Sequence, residues 1–150
     1  VAENFQGIVG EIDGVDLSEK MLEQADGKGV YANLYLTDVL RFLEMPDVRP
    51  AGYDLVLSAD TFIYIGKLDG IFKATRRALA DGGLFAFSVE YLEDGDYKLL
   101  PSSRYSQSEA YIRKLADDCD FTVLSCEPTD VRTENETPIP GRIFVLQAAG

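Results

Sequence analysis

The sequence of 150 residues contains no histidine, no tryptophan and only two cysteines. The lack of histidine removes the commonest general base, the usual partner of a Ser or Cys nucleophile and the most frequent zinc ligand. We therefore expect neither a hydrolase with a catalytic triad nor a metal site. Cys119 and Cys126 do not have CxxC spacing and are too few for a disulfide framework. They predict two free thiols in a reducing, cytoplasmic setting.

Basic residues are scarce, with 14 Lys and Arg against 26 Asp and Glu, for a formal charge of −12. Because phosphate binding needs clustered basic side chains, we do not expect nucleic acid as a partner. No apolar run is long enough to cross a membrane, and 46% hydrophobic with 27% charged residues is typical of globular proteins. A chain of this length can form one hydrophobic core. The composition predicts a single domain over residues 1–150.

Short β-rich runs alternate with helical patterns, which predicts an α/β fold with a mostly parallel sheet. The predicted strands cover residues 11–16, 31–36, 53–58, 84–89, 121–126 and 142–147. One helix is predicted to begin after the N-cap Ser18, and two more are predicted over residues 39–43 and 68–79. A capping box that begins at Ser106 predicts a further helix that ends at residue 118. Residues 90–104 are predicted as a polar loop. A second loop with Pro128, Pro138 and Pro140 is expected between the last two strands.

Ligands of such sheets bind where the parallel strands end, and acidic residues follow several of these strands. Asp16 ends the first predicted strand, where a carboxylate can accept both hydrogen bonds of a ribose diol. Alternatively, Asp16 caps the next helix together with Ser18. Asp38 can accept a hydrogen bond from an adenine amine or serve only as a helix N-cap. Asp60 lies beyond Ser58, either beside a passing substrate or as a solvated loop acid.

Three aromatic residues follow these strand ends. Phe62, Tyr64 and Tyr105 either line a pocket or belong to the hydrophobic core. Among them, Tyr64 and Tyr105 are, with Asp60, the candidates for a base or an orienting group. No catalytic residue is assigned from these patterns.

Four blocks in this order resemble the class I S-adenosylmethionine-dependent methyltransferases. They are residues 14–22 (GVDLSEKML), Asp38, residues 53–60 (YDLVLSAD) and residues 78–85 (ALADGGLF). The resemblance implies a Rossmann-like three-layer sandwich, with a seven-stranded sheet that has one antiparallel edge strand and a terminal strand pair. Residues 60–66 and 141–146 further resemble bacterial methyltransferase domains that follow tetratricopeptide repeats.

The resemblance also implies a binding role for several side chains. Asp16 would hold the ribose of S-adenosylmethionine, Leu17 and Met21 would lie near the adenosine, and Asp38 with Val39 would border the adenine.

The residues at the next strand end complete this implied site. Ser58 to Asp60 would border the methionine part of the cofactor. The implied activity is methyl transfer to a small-molecule or protein acceptor, for which histidine is not required.

The glycine-rich loop of the family has no counterpart in this sequence. Gly7, Gly10 and Gly14 have the wrong spacing, and the loop should lie about 20 residues before Asp16, that is, before Val1. Residues 1–6 resemble the end of the helix that follows such a loop. We therefore expect the natural protein to be longer at its N-terminus and residues 1–150 to be inactive alone. The first strand would be missing, leaving a gap between the strands that end at Asp16 and Ser58.

Two other functions are compatible with these patterns. The missing loop is also expected of a non-catalytic Rossmann-like binding domain that has lost its cofactor. Asp16 would follow the second strand of a complete Rossmann-like fold, and an acid at that position would also suit the ribose of a nicotinamide dinucleotide in a dehydrogenase. The Asp81-Gly82-Gly83 turn and the terminal strand pair favour the methyltransferase over the dehydrogenase.

Overall fold

The computed structural model describes residues 1–46 and 49–150. Residues 1–46 form one compact unit, the N-terminal unit, and the described residues from 49 onward form a second, the C-terminal unit. The prediction of a single domain over residues 1–150 stays a prediction. Among the described residues, no helix has both the length and the apolar character needed to cross a membrane.

The N-terminal unit contains two parallel strands, each followed by a helix. Its elements are β1 (Asp13–Asp16), α1 (Glu19–Asp26), β2 (Asn33–Leu36) and α2 (Val39–Leu43), preceded by a 3₁₀ turn at Ala2–Phe5. The register places Asp16 opposite Leu36, so both strands end at the same edge. Within residues 1–46, β2 is the only ladder partner of β1.

The C-terminal unit contains a six-stranded mixed sheet and two helices. Its elements are β3 (Tyr53–Ser58), α3 (Asp69–Ala78), β4 (Leu79–Leu92), β5 (Tyr97–Leu99), β6 (Tyr105–Ser108), α4 (Glu109–Asp118), β7 (Phe121–Glu134) and β8 (Thr137–Ala148), with a 3₁₀ turn at Phe62–Tyr64. The strands β3, β4, β8 and β7 are neighbours in that order. β6 extends the sheet beside the end of β4 and pairs with β5.

Phenylalanine rings form the centre of the C-terminal unit. The buried rings are Phe62, Phe72, Phe85, Phe87, Phe121 and Phe144. Phe85 and Phe87 alternate with half-buried residues along β4, so the phenylalanines lie on one face of the sheet. The ring centroids of Phe72 and Phe85 are 5.4 Å apart, and those of Phe87 and Phe144 are also 5.4 Å apart. Burial of each ring contributes about 1.5–3 kcal/mol to folding.

The fourth helix begins two residues later than the capping box predicts. Ser108 is the N-cap, and its hydroxyl accepts a hydrogen bond from the Tyr111 amide at 3.1 Å. Ser106 and Gln107 belong to β6, because Gln107 and Ser108 pair with the end of β4. The predicted loop over residues 90–104 is likewise wrong in part, since it contains the end of β4 and all of β5.

The predicted proline loop is a long antiparallel hairpin instead. β7 and β8 are joined by Asn135 and Glu136, both with positive φ. Pro128 lies on β7, whose only partner among the described strands is β8, so its missing amide leaves no ladder bond open on the other side. Pro138 and Pro140 lie beyond the part of β8 that pairs with β4. Proline is tolerated at these positions because the strands have one neighbour there.

The terminal strand pair of the resemblance is present, but its antiparallel strand does not lie at the edge. β8 runs antiparallel to both of its neighbours, β4 and β7, and lies between them. The edge strand beyond β8 is β7. The C-terminal sheet is therefore mixed around an internal antiparallel strand.

Candidate functional site

Asp16 is the last residue of β1, and one of its two carboxylate oxygens accepts a hydrogen bond from the described residues. Its Oδ1 accepts a hydrogen bond from the Ser18 amide at 2.8 Å. Ser18 is the N-cap of α1 and accepts from the Met21 amide. Asp16 thus supports the start of the helix, as the simpler interpretation predicts. Its Oδ2 has no hydrogen-bond partner among the residues described, so one oxygen is available to a ligand.

Two large apolar side chains lie close to Asp16 in the sequence and are exposed. Leu17 is 73% exposed and Met21 is 52% exposed. Leu36, at the end of the adjacent strand β2, is also largely exposed. Apolar surface is therefore available at the strand edge that carries the Asp16 carboxylate.

Asp38 lies at the same edge, two residues after the end of β2. Its Oδ1 accepts hydrogen bonds from the amides of Leu40 and Arg41 at 2.9 and 3.1 Å. The prediction that Asp38 is a helix N-cap is confirmed. Val39, the first residue of α2, is half-buried. The parallel register of β1 and β2 thus places Asp16 and Asp38 at one edge.

Ser58 and Asp60 lie at the end of β3 in the C-terminal unit. The Ser58 hydroxyl is buried and has no hydrogen-bond partner among the described residues. Asp60 is exposed and has φ of 55°, in the left-handed region. Its amide donates to the Ser88 hydroxyl at 3.3 Å.

The three aromatic candidates have different environments. Phe62 is 1% exposed and belongs to the core, which is one of its two predicted alternatives. Tyr64 is 66% exposed. Tyr105 is half-buried in β6, with its ring centroid 6.3 Å from that of Tyr97. Gln107 fixes the turn that carries Tyr64, because its Nε2 donates to the carbonyl oxygens of Phe62 and Ile65 at 3.1 and 2.7 Å.

A charged cluster that the sequence does not reveal lies at the end of β4. Arg132 Nη2 donates to Glu90 Oε2 at 2.9 Å and lies 3.9 Å from Glu134. Arg104 donates to Glu134 at 3.2 Å. Its hydrogen bond with Tyr64, followed by the contact with Glu134, raises the pKa of Arg104. The cluster joins β4, β7 and the segment before β6, which are far apart in the sequence.

The two thiols are free, as the sequence predicts. Cys119 is buried and Cys126 is half-buried. Burial raises the pKa of both thiols, so both favour the neutral form.

Strands alternate with helices in this chain, and acidic residues follow the ends of parallel strands. These features define a Rossmann-like α/β protein. Residues 1–87 match the family model described as a methyltransferase domain, and the chain belongs to this family. The resemblance to methyltransferases drawn from the sequence motifs is confirmed.

One curated relative is a malonyl-[acyl-carrier protein] O-methyltransferase from Geobacter sulfurreducens, 38% identical over 89 residues. The match covers 59% of this chain, and the chain spans about a third of the relative, 32% of its length.

Two solved structures show the same fold at low sequence identity. An S-adenosylmethionine-dependent methyltransferase from Clostridium acetobutylicum has a TM-score of 0.70 at 18% identity, over 99% of this chain and 79% of that one. A 1,6-didemethyltoxoflavin-N1-methyltransferase from Burkholderia thailandensis, with bound S-adenosylhomocysteine, has a TM-score of 0.73 at 16% identity, over 99% of this chain and 65% of that one.

Proposed function

We propose that this chain binds S-adenosylmethionine and that the natural protein transfers its methyl group to a small-molecule or protein acceptor. The observation that carries the proposal is the Asp16 carboxylate, which ends β1 with one oxygen bound to the Ser18 amide and the other available. Membership of the methyltransferase family supports the same activity.

Residues at the ends of β1 and β2 have groups that fit adenosine. We assign Asp16 to the ribose hydroxyls, because a carboxylate accepts charge-assisted hydrogen bonds. Leu17 and Met21 supply exposed apolar surface for the adenosine. Asp38 Oδ2 accepts no hydrogen bond from the part of the chain that the structure describes, and we assign it to the adenine amine, with Val39 beside the ring.

Two residues at the end of β3 have groups that fit the methionine part of the cofactor. The Ser58 hydroxyl is buried without a partner among the described residues, as expected of a group that bonds a ligand. The Asp60 carboxylate is exposed and can accept a hydrogen bond from an ammonium group. We assign both residues to the methionine part of the cofactor.

S-adenosylmethionine supplies an activated methyl group, so the protein mainly has to hold the two reactants in line. Such positioning can lower a barrier by up to about 7–11 kcal/mol. A base is needed only where the acceptor must lose a proton. Tyr64, Tyr105 and Asp60 are our candidates for orienting the acceptor or taking that proton. A reaction of this kind is compatible with a chain without histidine.

Binding of S-adenosylmethionine to the natural full-length protein, measured by equilibrium dialysis, tests this function. We expect Asp16→Ala to weaken binding about 100-fold, because it removes hydrogen bonds to a charged acceptor worth about 1.5–3 kcal/mol each. Asp16→Asn should weaken it less, since the amide oxygen still accepts a hydrogen bond. Asp26→Asn changes an exposed acid at the end of α1 and is the matched control.

Three outcomes would contradict the proposal. Equal affinity of the wild type and Asp16→Ala would remove Asp16 from the site. No affinity of the wild type at any concentration would favour the non-catalytic binding domain. Tighter binding of a nicotinamide dinucleotide than of S-adenosylmethionine would favour the dehydrogenase.

A further inference from the structure

The turn after β3 has an unfavourable backbone conformation at Asp60. Its φ of 55° lies in the left-handed region, which costs a residue with a side chain roughly 1–2 kcal/mol. Asp is among the residues that adopt this conformation most readily, yet it needs local support. A neighbouring group must therefore hold the turn in place.

Ser88 on β4 supplies that support. Its hydroxyl accepts the hydrogen bond of the Asp60 amide at 3.3 Å. Thr61 Oγ1 adds a second bond within the turn, to the Ala59 carbonyl oxygen at 3.3 Å.

The position of Ser88 is itself fixed by strands on both sides of β4. The preceding residue, Phe87, pairs with Ser58 of β3. Ser88 pairs with Ile143 of β8. The hydroxyl that receives the Asp60 amide is thus carried by the central strand of the C-terminal sheet, and such strands hold a side chain more firmly than loops do.

Asp60 and Ser58 each have a polar group without a hydrogen-bond partner among the described side chains. The Asp60 carboxylate has no hydrogen-bond partner among the described side chains and is exposed. The Ser58 hydroxyl is buried without one. The bond to Ser88 links this turn to β4 beyond the end of the β3–β4 ladder.

We propose that Ser88 is a positioning residue, which holds Asp60 in the left-handed conformation that directs its carboxylate to the methionine part of the cofactor. This inference rests on the proposed function. Ser88 acts only through the Asp60 amide. Its loss should therefore weaken cofactor binding by an amount that depends on the Asp60 carboxylate.

The first test is calorimetric titration of S-adenosylhomocysteine into the natural full-length protein and its Ser88 variants. We expect Ser88→Ala to raise Kd about two- to twelve-fold, the range of one hydrogen bond. Ser88→Thr keeps the hydroxyl and suits a strand, so its Kd should stay close to that of the wild type. Ser125→Ala makes the same change at a half-buried position of β7 and should leave Kd unchanged.

The second test asks whether Ser88 acts through Asp60. In an Asp60→Ala background, the further change Ser88→Ala should leave Kd as it is, because the carboxylate that Ser88 positions is gone. A rise of Kd by the same factor in both backgrounds would overturn the proposal, since Ser88 would then act on the ligand by another route.

The role in binding is distinguished from a purely structural role by urea unfolding of the same variants. A lower free energy of unfolding with unchanged Kd for Ser88→Ala would overturn the proposal while leaving the proposed function intact. A wild-type protein that does not bind S-adenosylhomocysteine would overturn both.

Discussion

Replacement of Arg132 by methionine should destabilise the C-terminal unit through the buried carboxylate of Glu90. The Glu90 side chain is 8% exposed and that of Arg132 is 18% exposed, with 2.9 Å between Oε2 and Nη2. Methionine keeps much of the side-chain volume of arginine but removes the only cation within ion-pair distance of Glu90 among the described residues. The glutamate would then be a buried charge without a partner.

The size of the effect follows from this burial. Removal of one partner of a buried ion pair lowers the free energy of unfolding by about 3–5 kcal/mol. Because Arg132 is partly exposed, we expect a loss near the lower end of this range, about 3 kcal/mol. Glu90→Gln should cost less, about 1–2 kcal/mol, because the amide still accepts a hydrogen bond and Glu134 remains near Arg132. The double variant should be more stable than Arg132→Met alone, since no unpaired carboxylate remains.

Urea unfolding at pH 7 measures these differences. Circular dichroism follows the transition, and tyrosine fluorescence is a second probe because the chain has eight tyrosines and no tryptophan. Lys98→Met, on the exposed strand β5, is the matched control for loss of a cation. A cost below about 0.5 kcal/mol for Arg132→Met, the level of an exposed pair, would refute the reasoning. A double variant less stable than Arg132→Met would refute it as well.

Three further predictions concern stability and thiol chemistry. Tyr111→Phe should lower the free energy of unfolding at pH 7 by about 1–3 kcal/mol, because the buried Leu68 amide loses its acceptor at 2.9 Å. Burial raises the pKa of Tyr111 in the folded protein above its unfolded value of about 10. The contribution of this hydroxyl to the free energy of unfolding is therefore complete below about pH 10 and is lost progressively as the pH rises above it. An equal decline of the free energy of unfolding in the wild type and in Tyr111→Phe between pH 10 and 11.5 would contradict this. Gly141→Ala should cost about 1–3 kcal/mol in urea unfolding, since the new Cβ would lie 2.5 Å from the Val89 carbonyl oxygen; an unchanged midpoint would contradict it. Cys119 should react with a thiol reagent at pH 8 far more slowly in the folded than in the urea-unfolded protein, and equal rates would contradict the burial of the thiol.

Local signals in the sequence were sufficient to predict the helix starts of the N-terminal unit. Ser18 and Asp38 each cap the helix that the sequence assigns to them, because an N-cap depends on residues within one turn. The continuous apolar run at the centre of residues 53–58 predicts a strand with its observed bounds, although each residue of that strand is half-buried or exposed.

Pairings between distant segments explain what the sequence does not predict. Ser106 satisfies the spacing of a capping box, but pairing of β6 with the end of β4 keeps it in a strand. Pro138 predicts a loop from the sequence alone. In the structure it lies in the part of β8 that does not pair with β4, where a strand tolerates proline. Arg132 donates a hydrogen bond to Glu90 across β8. This contact follows an irregularity in the register between Asp130 and Arg132, which no local sequence pattern predicts.

In the candidate site, too, the sequence predicts some features, and others depend on contacts seen only in the structure. A carboxylate at a strand end was sufficient to select Asp16, Asp38 and Asp60 as candidates. Their hydrogen bonds differ in origin: Asp16 accepts the amide of Ser18, two residues away in the sequence, whereas the Asp60 amide donates to Ser88 on β4, which is distant in the sequence. Phe62 is compatible from its sequence position with a pocket or with the core, and only the tertiary packing shows that it belongs to the core.

Calorimetric titration of S-adenosylhomocysteine into the natural full-length protein tests the central claim most directly. We expect saturable binding at one site per chain, with a Kd that rises on Asp16→Ala and does not change on Asp26→Asn. Absence of saturable binding, or binding that Asp16→Ala leaves unchanged, would contradict it.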